Sequence, residues 1–230
     1  MKKFVIAIDG PAASGKSTTA RLAAEKLGYL YIDTGAMYRA MTLSVLEHHL
    51  DLRDEAGIVA LAEKTRIELE EHAGVLRVFL DRRDVTRSIR RQEVTKAVSA
   101  VSAISQVREV MVREQRRIAK EGGVILEGRD IGTVVVPNAE LKIFMQANVE
   151  QRARRRQQEL ALDEPEIPLQ DLLFDIRERD RKDSERRVSP LRMAQGAIVL
   201  DTSDMTIEEQ VNFIINKVKE IRLRRDAYNG

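Results

Sequence analysis

Gly10-Pro11-Ala12-Ala13-Ser14-Gly15-Lys16-Ser17 matches the pattern Gly-x4-Gly-Lys-Ser/Thr. Glycines at both ends let a short loop fold back until its N–H groups converge on phosphate oxygens. Lys16 places a point charge over the β- and γ-phosphates, and the Ser17 hydroxyl suits a magnesium ion. An apolar β-branched run, Phe4–Ile8, precedes the string, and a helical pattern, Ser17–Leu27, follows it. That is the context a nucleoside-triphosphate loop requires. Residues Gly10 through Thr18 are the expected ATP site.

Four further groups stand where strands end or helices face inward. Asp33-Thr34-Gly35-Ala36-Met37-Tyr38-Arg39 follows the second strand, at the carboxyl edge where open α/β sheets bind ligands. Thr34 is placed to cap the next helix and present its N–H groups to an anion, although a plain capped helix with a surface arginine fits too. Glu127-Gly128-Arg129-Asp130-Ile131-Gly132 puts an Arg-Asp pair between glycines at another strand end. Arg179, Asp183 and Arg186 fall at i, i+4 and i+7 on one helix face. Spacing alone favours a solvated ion-pair ladder there. Arg152, Arg154, Arg155 and Arg156 stand beside Ala161–Pro168, which reads as a mobile loop. They are placed to close over a triphosphate, against the default of a solvated helix face.

Taken together, these blocks resemble the bacterial cytidylate kinases among the nucleoside monophosphate kinases. The likeness covers essentially the whole chain, including an insertion near 65–100. At 127 some relatives carry Asp where this chain has Glu; both keep a carboxylate at the strand end. The resemblance implies phosphorylation of CMP and dCMP by ATP with Mg²⁺. It assigns Ser99, Arg108 and Asp130 to base and ribose, Asp183 to the sugar, and Arg39, Arg129 and Arg186 to the acceptor phosphate. Thr34 and Tyr38 belong to the same substrate side. Lys16, Arg129, Arg179 and the lid residue Arg155 are the expected catalytic cations, with Ser17 and Asp33 on the magnesium side. Cytosine offers an amino donor beside two acceptors, an edge that a carboxylate and a guanidinium can read.

The elements that must hold these groups alternate along the chain. Short apolar runs at Phe4–Ile8, Tyr29–Ile32, Val124–Leu126, Leu141–Phe144 and Ile198–Leu200 are separated by helical stretches. The helices include Gly35–Leu46, Val149–Leu160 opened by Asn148, Leu169–Glu185 and Ile207–Arg225. The pattern predicts a three-layer α/β core with a five-stranded parallel sheet. The stretch from about Thr65 to Ala100 breaks the alternation with a hairpin around His72-Ala73-Gly74, and is expected as an inserted acceptor-binding subdomain. Core segments are then 1–64 and 101–230, with a short lid at about 150–168.

Composition narrows the rest. The 230 residues contain no cysteine, which removes thiolate catalysis and Cys-ligated metals and fits a cytoplasmic setting. Lys and Arg number 39 against 37 acidic residues, and aromatics are only 4%, so nucleic acid is disfavoured as a partner. No apolar run approaches a membrane span of ~20 residues. ATP and CMP or dCMP are the expected partners of a monomer. A GTPase reading fails at Asn216-Lys217-Val218-Lys219, where a cation replaces the carboxylate that would read guanine. The three histidines, His48, His49 and His72, have no chemical role here. Lys16→Ala should cut turnover more than about tenfold while circular dichroism and thermal unfolding stay those of the wild type.

Overall fold

A computed structural model describes residues 3–72, 75–160 and 167–229. In chain order the strands and helices are β1 (Val5–Asp9), α1 (Lys16–Leu27), β2 (Leu30–Asp33), α2 (Thr34–Glu47) and α3 (Glu55–Ala62). Then come β3 (Ile67–His72), β4 (Val75–Leu80), β5 (Arg83–Asp84), α4 (Gln92–Val101) and α5 (Ser105–Ala119). The chain continues through β6 (Val124–Gly128), β7 (Leu141–Gln146), α6 (Val149–Leu160), α7 (Leu169–Glu185), β8 (Ile198–Asp201) and α8 (Ile207–Asn229).

Five strands form one sheet in the order β2-β6-β1-β7-β8, every pair parallel. Successive side chains of a strand point to opposite faces, so a strand buried on both faces feeds two cores. Ile6 and Ile8 of β1 and Ile125 of β6 join Ala20 and Ala23 of α1 and Val211, Ile214 and Val218 of α8. Ala7, Val124 and Leu126 join Met37 and Met41 of α2 and Val107 and Met111 of α5. The expected parallel sheet covered on both faces is what the chain forms.

The register places functional groups at one edge. Asp9 lies opposite Gly128, and Asp33 opposite Glu127, at the carboxyl ends of β1, β6 and β2. Gly10, at φ +153°, turns the chain out of β1. A side chain there would run into the Met145 carbonyl oxygen of β7. After β6, residues 131–135 form a wide helical turn, with Val135 N–H donating to Asp130 O (3.2 Å) and Val136 N–H to Ile131 O (2.8 Å). Such i→i+5 turns cluster at functional sites.

Two expectations about elements need correction. The segment near 65–100 does hold an antiparallel sheet, β3-β4-β5, but it also contains the helix α4. Val94, Ala97, Val98 and Val101 give α4 a buried stripe at helical spacing. Moreover, Ile67, Val78, Leu80, Val85 and Ile89 join the cluster built on α2 rather than a core of their own. Thr34 does not cap α2: the Asp33 carboxylate does, accepting from Ala36 N–H at 2.9 Å. The Asn148 cap of α6 is present, its Oδ1 accepting from Gln151 N–H at 2.8 Å. Asp54 likewise caps α3, its Oδ1 accepting from Gly57 N–H. Residues 73–74 of the hairpin turn and 161–166 of the expected mobile loop lie outside the described residues. No described helix is long and apolar enough to cross a membrane.

Tyr29 ties both ends of the chain to the sheet. Its buried hydroxyl accepts from Phe4 N–H (3.1 Å) and from Arg222 Nη2 (2.8 Å), and the Arg222 guanidinium lies over the Phe4 ring. Tyr29→Phe strands a buried N–H, so it should lower unfolding free energy by about 1–3 kcal/mol. Denaturant titration would read that loss, with turnover unchanged.

Candidate active site

The loop from Gly10 to Gly15 is held by its carbonyl groups. Pro11 O accepts from Lys16 Nζ (2.6 Å) and Ser14 Oγ (3.0 Å). Ala12 O accepts from Arg152 Nη1 (3.2 Å), and Ser14 O from Thr202 Oγ1 (2.9 Å). The first-turn N–H groups of α1 have no helical acceptor, as at every helix start, and lie open to an anion. Lys16 is buried, and its pKa is pushed down to about 7 by that burial and by the Arg129 charge.

Beside it, Ser17 Oγ donates to Glu127 Oε1 at 2.5 Å, and the buried Tyr31 hydroxyl donates to the same oxygen at 3.2 Å. Asp33 is pushed upward by burial and then by the Glu127 charge. Ser17, Glu127 and Asp33 thus form an all-oxygen set with two mutually repelling carboxylates, which fits a hard cation such as Mg²⁺. Glu127 is the member that sequence reasoning did not assign. Its signal was a carboxylate at a strand end, and only the adjacency of β6 to β1 turns that into a contact with Ser17.

A second positive region lies across the sheet edge. Arg129 Nε donates to Asp183 Oδ2 of α7 at 2.7 Å. Burial works against the Asp183 carboxylate, yet Arg129, Arg179 and Arg186 hold its pKa below the usual range. Arg179 has no hydrogen bond or ion pair among the described residues. Burial, then the Arg129 and Arg39 charges, pull it down to about 10. Arg39 donates to Thr95 Oγ1 (2.9 Å) and is also lowered, by burial and then by Arg156, Arg90 and Arg129 against the opposing Asp33 charge. The ion-pair ladder does exist on α7, but on its outer face, where Arg181 bridges Glu178 (3.0 Å) and Glu185 (2.9 Å). Arg179, Asp183 and Arg186 face inward.

Next to this region Arg108 and Asp130 form a direct ion pair, both side chains only 4–6% exposed. Arg108 stacks over the Tyr38 ring at 5.0 Å, and its Nη1 donates to Ser102 O at 3.1 Å. Arg186 Nη2 stands 3.9 Å from Asp130 Oδ1. Arg108 Nε, Arg186 Nη2 and the Tyr38 hydroxyl are buried with no hydrogen-bond partner among the described residues. Burial pushes the Tyr38 phenol up to about 12, so it stays a donor. Ser99 is half-buried on α4, with its carbonyl accepting from Ser102 Oγ at 3.2 Å. The Thr34 hydroxyl is turned away, donating to Glu127 O at 2.7 Å.

Arg155 is not gathered with Lys16, Arg129 and Arg179. Its guanidinium donates to Thr202 Oγ1 (3.1 Å) and Thr202 O (2.5 Å), the buried residue that also bonds the loop carbonyl of Ser14. Arg156, one residue on, is the arginine of α6 whose charge reaches Arg39 and Arg179. Arg152 is buried between the loop and Asp180 of α7, with an N–O distance of 2.6 Å to that carboxylate. Thr202, Gln210 and Asp9 also escaped the sequence reading. Gln210 Oε1 accepts from Thr19 Oγ1 at 2.6 Å, behind the loop.

Strand order, phosphate loop and a second arginine-lined site make this a phosphate-loop phosphotransferase. The model for the family described as cytidylate kinase matches residues 6–220. The chain belongs to that family. It is 50% identical to the cytidylate kinase of Halalkalibacterium halodurans over 96% of this chain and 99% of that one. It is 47% identical to the cytidylate kinase of Bacillus subtilis, over 95% and 98%. Among solved structures, an uncharacterized protein from Eubacterium ventriosum superposes with a TM-score of 0.53 at 11% identity, covering 94% of this chain and 99% of that one. That likeness concerns the fold alone.

Because Arg179 is crowded by cations and unpaired, removing its charge should not harm folding. Arg179→Met is expected to leave the thermal midpoint unchanged or raised, while turnover falls at least about a hundredfold. Parallel melting and steady-state assays would separate this from a structural arginine, whose loss lowers both.

Proposed function

We propose that the chain transfers the γ-phosphoryl group of ATP to CMP and dCMP, giving ADP and CDP or dCDP. The observation that carries the reading is the buried Arg108–Asp130 pair standing beside the cluster of Arg39, Arg129, Arg179 and Arg186, in which cations outnumber the one facing carboxylate, Asp183. A base-reading edge and a phosphate-sized positive site adjoin one another, across from the triphosphate loop. A nucleotide-binding switch would need only the loop. Turnover assays with CMP, UMP, AMP and shikimate test the assignment against other kinases on this core.

The chemistry asks little of the protein beyond placement and charge. The acceptor phosphate has a second pKa of about 6, so at neutral pH its oxygen is already a competent nucleophile. No general base is needed. Lys16 and the amides of the loop would hold the donor phosphates, while Arg39, Arg129 and Arg186 would hold the acceptor. Arg179 and Arg156, whose charges reach Arg39 and each other, would stabilise the charge that spreads over the group in transit. Ser17, Glu127 and Asp33 would hold Mg²⁺, which when bound neutralises charge on the donor phosphates. Arg155 belongs in this reading to the donor nucleotide, through its seat on Thr202. Arg152, fixed to both loop and α7, would keep the α6–α7 arm aligned with the donor. Closure of that arm would exclude water and so suppress hydrolysis of ATP.

Asp130 would accept from the cytosine amino group, and Arg108 would donate to N3 or O2. UMP turns a carbonyl toward Asp130, and a mispaired buried group discriminates by large factors. In Asp130→Asn the amide can donate to that carbonyl. CMP efficiency should fall while UMP efficiency falls less or rises. The CMP-to-UMP ratio of kcat/KM measures this, and it does not change when a variant merely lowers the folded fraction. An unchanged ratio in both Asp130→Asn and Arg108→Met would assign base reading to other residues.

A further inference from the structure

Asp9 is buried at the end of the central strand, and the mechanism above gives it no task. Its two carboxylate oxygens are both occupied. Oδ1 accepts from Ile131 N–H and Oδ2 from Gly132 N–H, each at 2.7 Å. It is therefore no spare base, and Lys16 Nζ bonds to Pro11 O and Ser14 Oγ instead of to it. What Asp9 touches is the turn that begins directly after Arg129 and Asp130. The other side of that dipeptide is Gly128, whose Cα partner in the β1–β6 ladder is again Asp9. One residue thus pins both flanks of the two-residue span that carries the acceptor-side arginine and the base-reading carboxylate. The next residue, Gly10, opens the phosphate loop.

Gly132 allows the approach. A Cβ there would sit 3.3 Å from Asp9 Oδ2 and 3.0 Å from Ala194 Cβ, so it would crowd the carboxylate and force its neighbours to give by a few tenths of an ångström. A neutral amide at position 9 would fill the same space but would set an N–H₂ against one of the two backbone N–H groups. The amide breaks one of the two ties at the far flank of the dipeptide and the added methyl strains them, while the Asp9–Gly128 pairing of the strands is backbone and needs neither side chain.

We propose that Asp9 is a positioning residue for acceptor recognition: its carboxylate fixes the Arg129–Asp130 span, and through it base selectivity, from the strand that carries the phosphate loop. The proposal rests on the cytidine reading above. In Asp9→Asn and in Gly132→Ala, the CMP-to-UMP ratio of kcat/KM should fall by about tenfold or more, since a charged acceptor is lost to backbone donors that set the pocket. KM for ATP should stay within about twofold, because the loop keeps its own carbonyl ties. A purely structural carboxylate would lower the melting temperature and the active fraction equally for both nucleotides, and a ratio unchanged in both variants overturns the proposal. If Asp9→Asn does not fold, Gly132→Ala decides alone. Amide exchange in the wild-type protein provides a check that needs no substrate: the Ile131 and Gly132 amides should be protected, and rapid exchange at either overturns the anchor itself. A wild type inactive on CMP but with both amides protected would sink the cytidine reading and leave the anchor standing.

Discussion

Burial first, and then the cations around them, make Lys16, Arg39 and Arg179 hold their protons less firmly, with Arg129 acting on all three and Arg156 on two. A fold that gathers this much like charge works against its own stability, since desolvated cations repel strongly. The gathering makes sense only as preparation for anions. On the proposed function, two phosphate groups that repel one another in water would meet here a field of charges already gathered by the fold.

The opposing carboxylates show how the chain tolerates that field. Asp9, Asp33 and Glu127 sit at the carboxyl ends of β1, β2 and β6 and are fixed by backbone N–H groups, hydroxyls or strand register. The cations mostly stand on helices: Lys16 on α1, Arg39 on α2, Arg156 on α6 and Arg179 on α7. Negative charge is thus built into the sheet, and positive charge is carried by elements packed around it. The apolar layers on both faces of the sheet supply the stability against which this arrangement is maintained.

The sheet and the phosphate loop were legible because local pattern determines them. Phe4–Ile8 is apolar at every position, and Asn148 and Pro168 mark the starts of α6 and α7. α4 was hidden because its Val94–Val101 stripe lies within a charged stretch that begins as a hairpin. The Arg108 position gave no signal of its own, and its assignment came from the family resemblance alone. Flanked by the apolar Val107 and Val110, it looks like an arginine at the edge of an amphipathic helix, yet it is 3% exposed and paired with Asp130, 22 residues away. Glu127 and Ser17 are 110 residues apart, and their contact follows from strand order, which no local spacing encodes. Arg155 and Arg156 differ by a rotation of about 100° on one helix, a difference that composition cannot resolve.

Helices α6 and α7 pack through a small apolar cluster of their own, Ala153, Leu172, Leu173 and Ile176, separate from the two layers that sandwich the sheet. Their polar link to the rest includes Arg152, held by Ala12 O and Asp180. An arm built this way is a modular graft. Its helices can lengthen, shorten or exchange tips in evolution or design without repacking either face of the sheet, provided the arginine at its root is kept. Substrate-sized variation in this architecture is therefore cheapest in the arm, while the strand ends that carry the carboxylates leave almost no room for change.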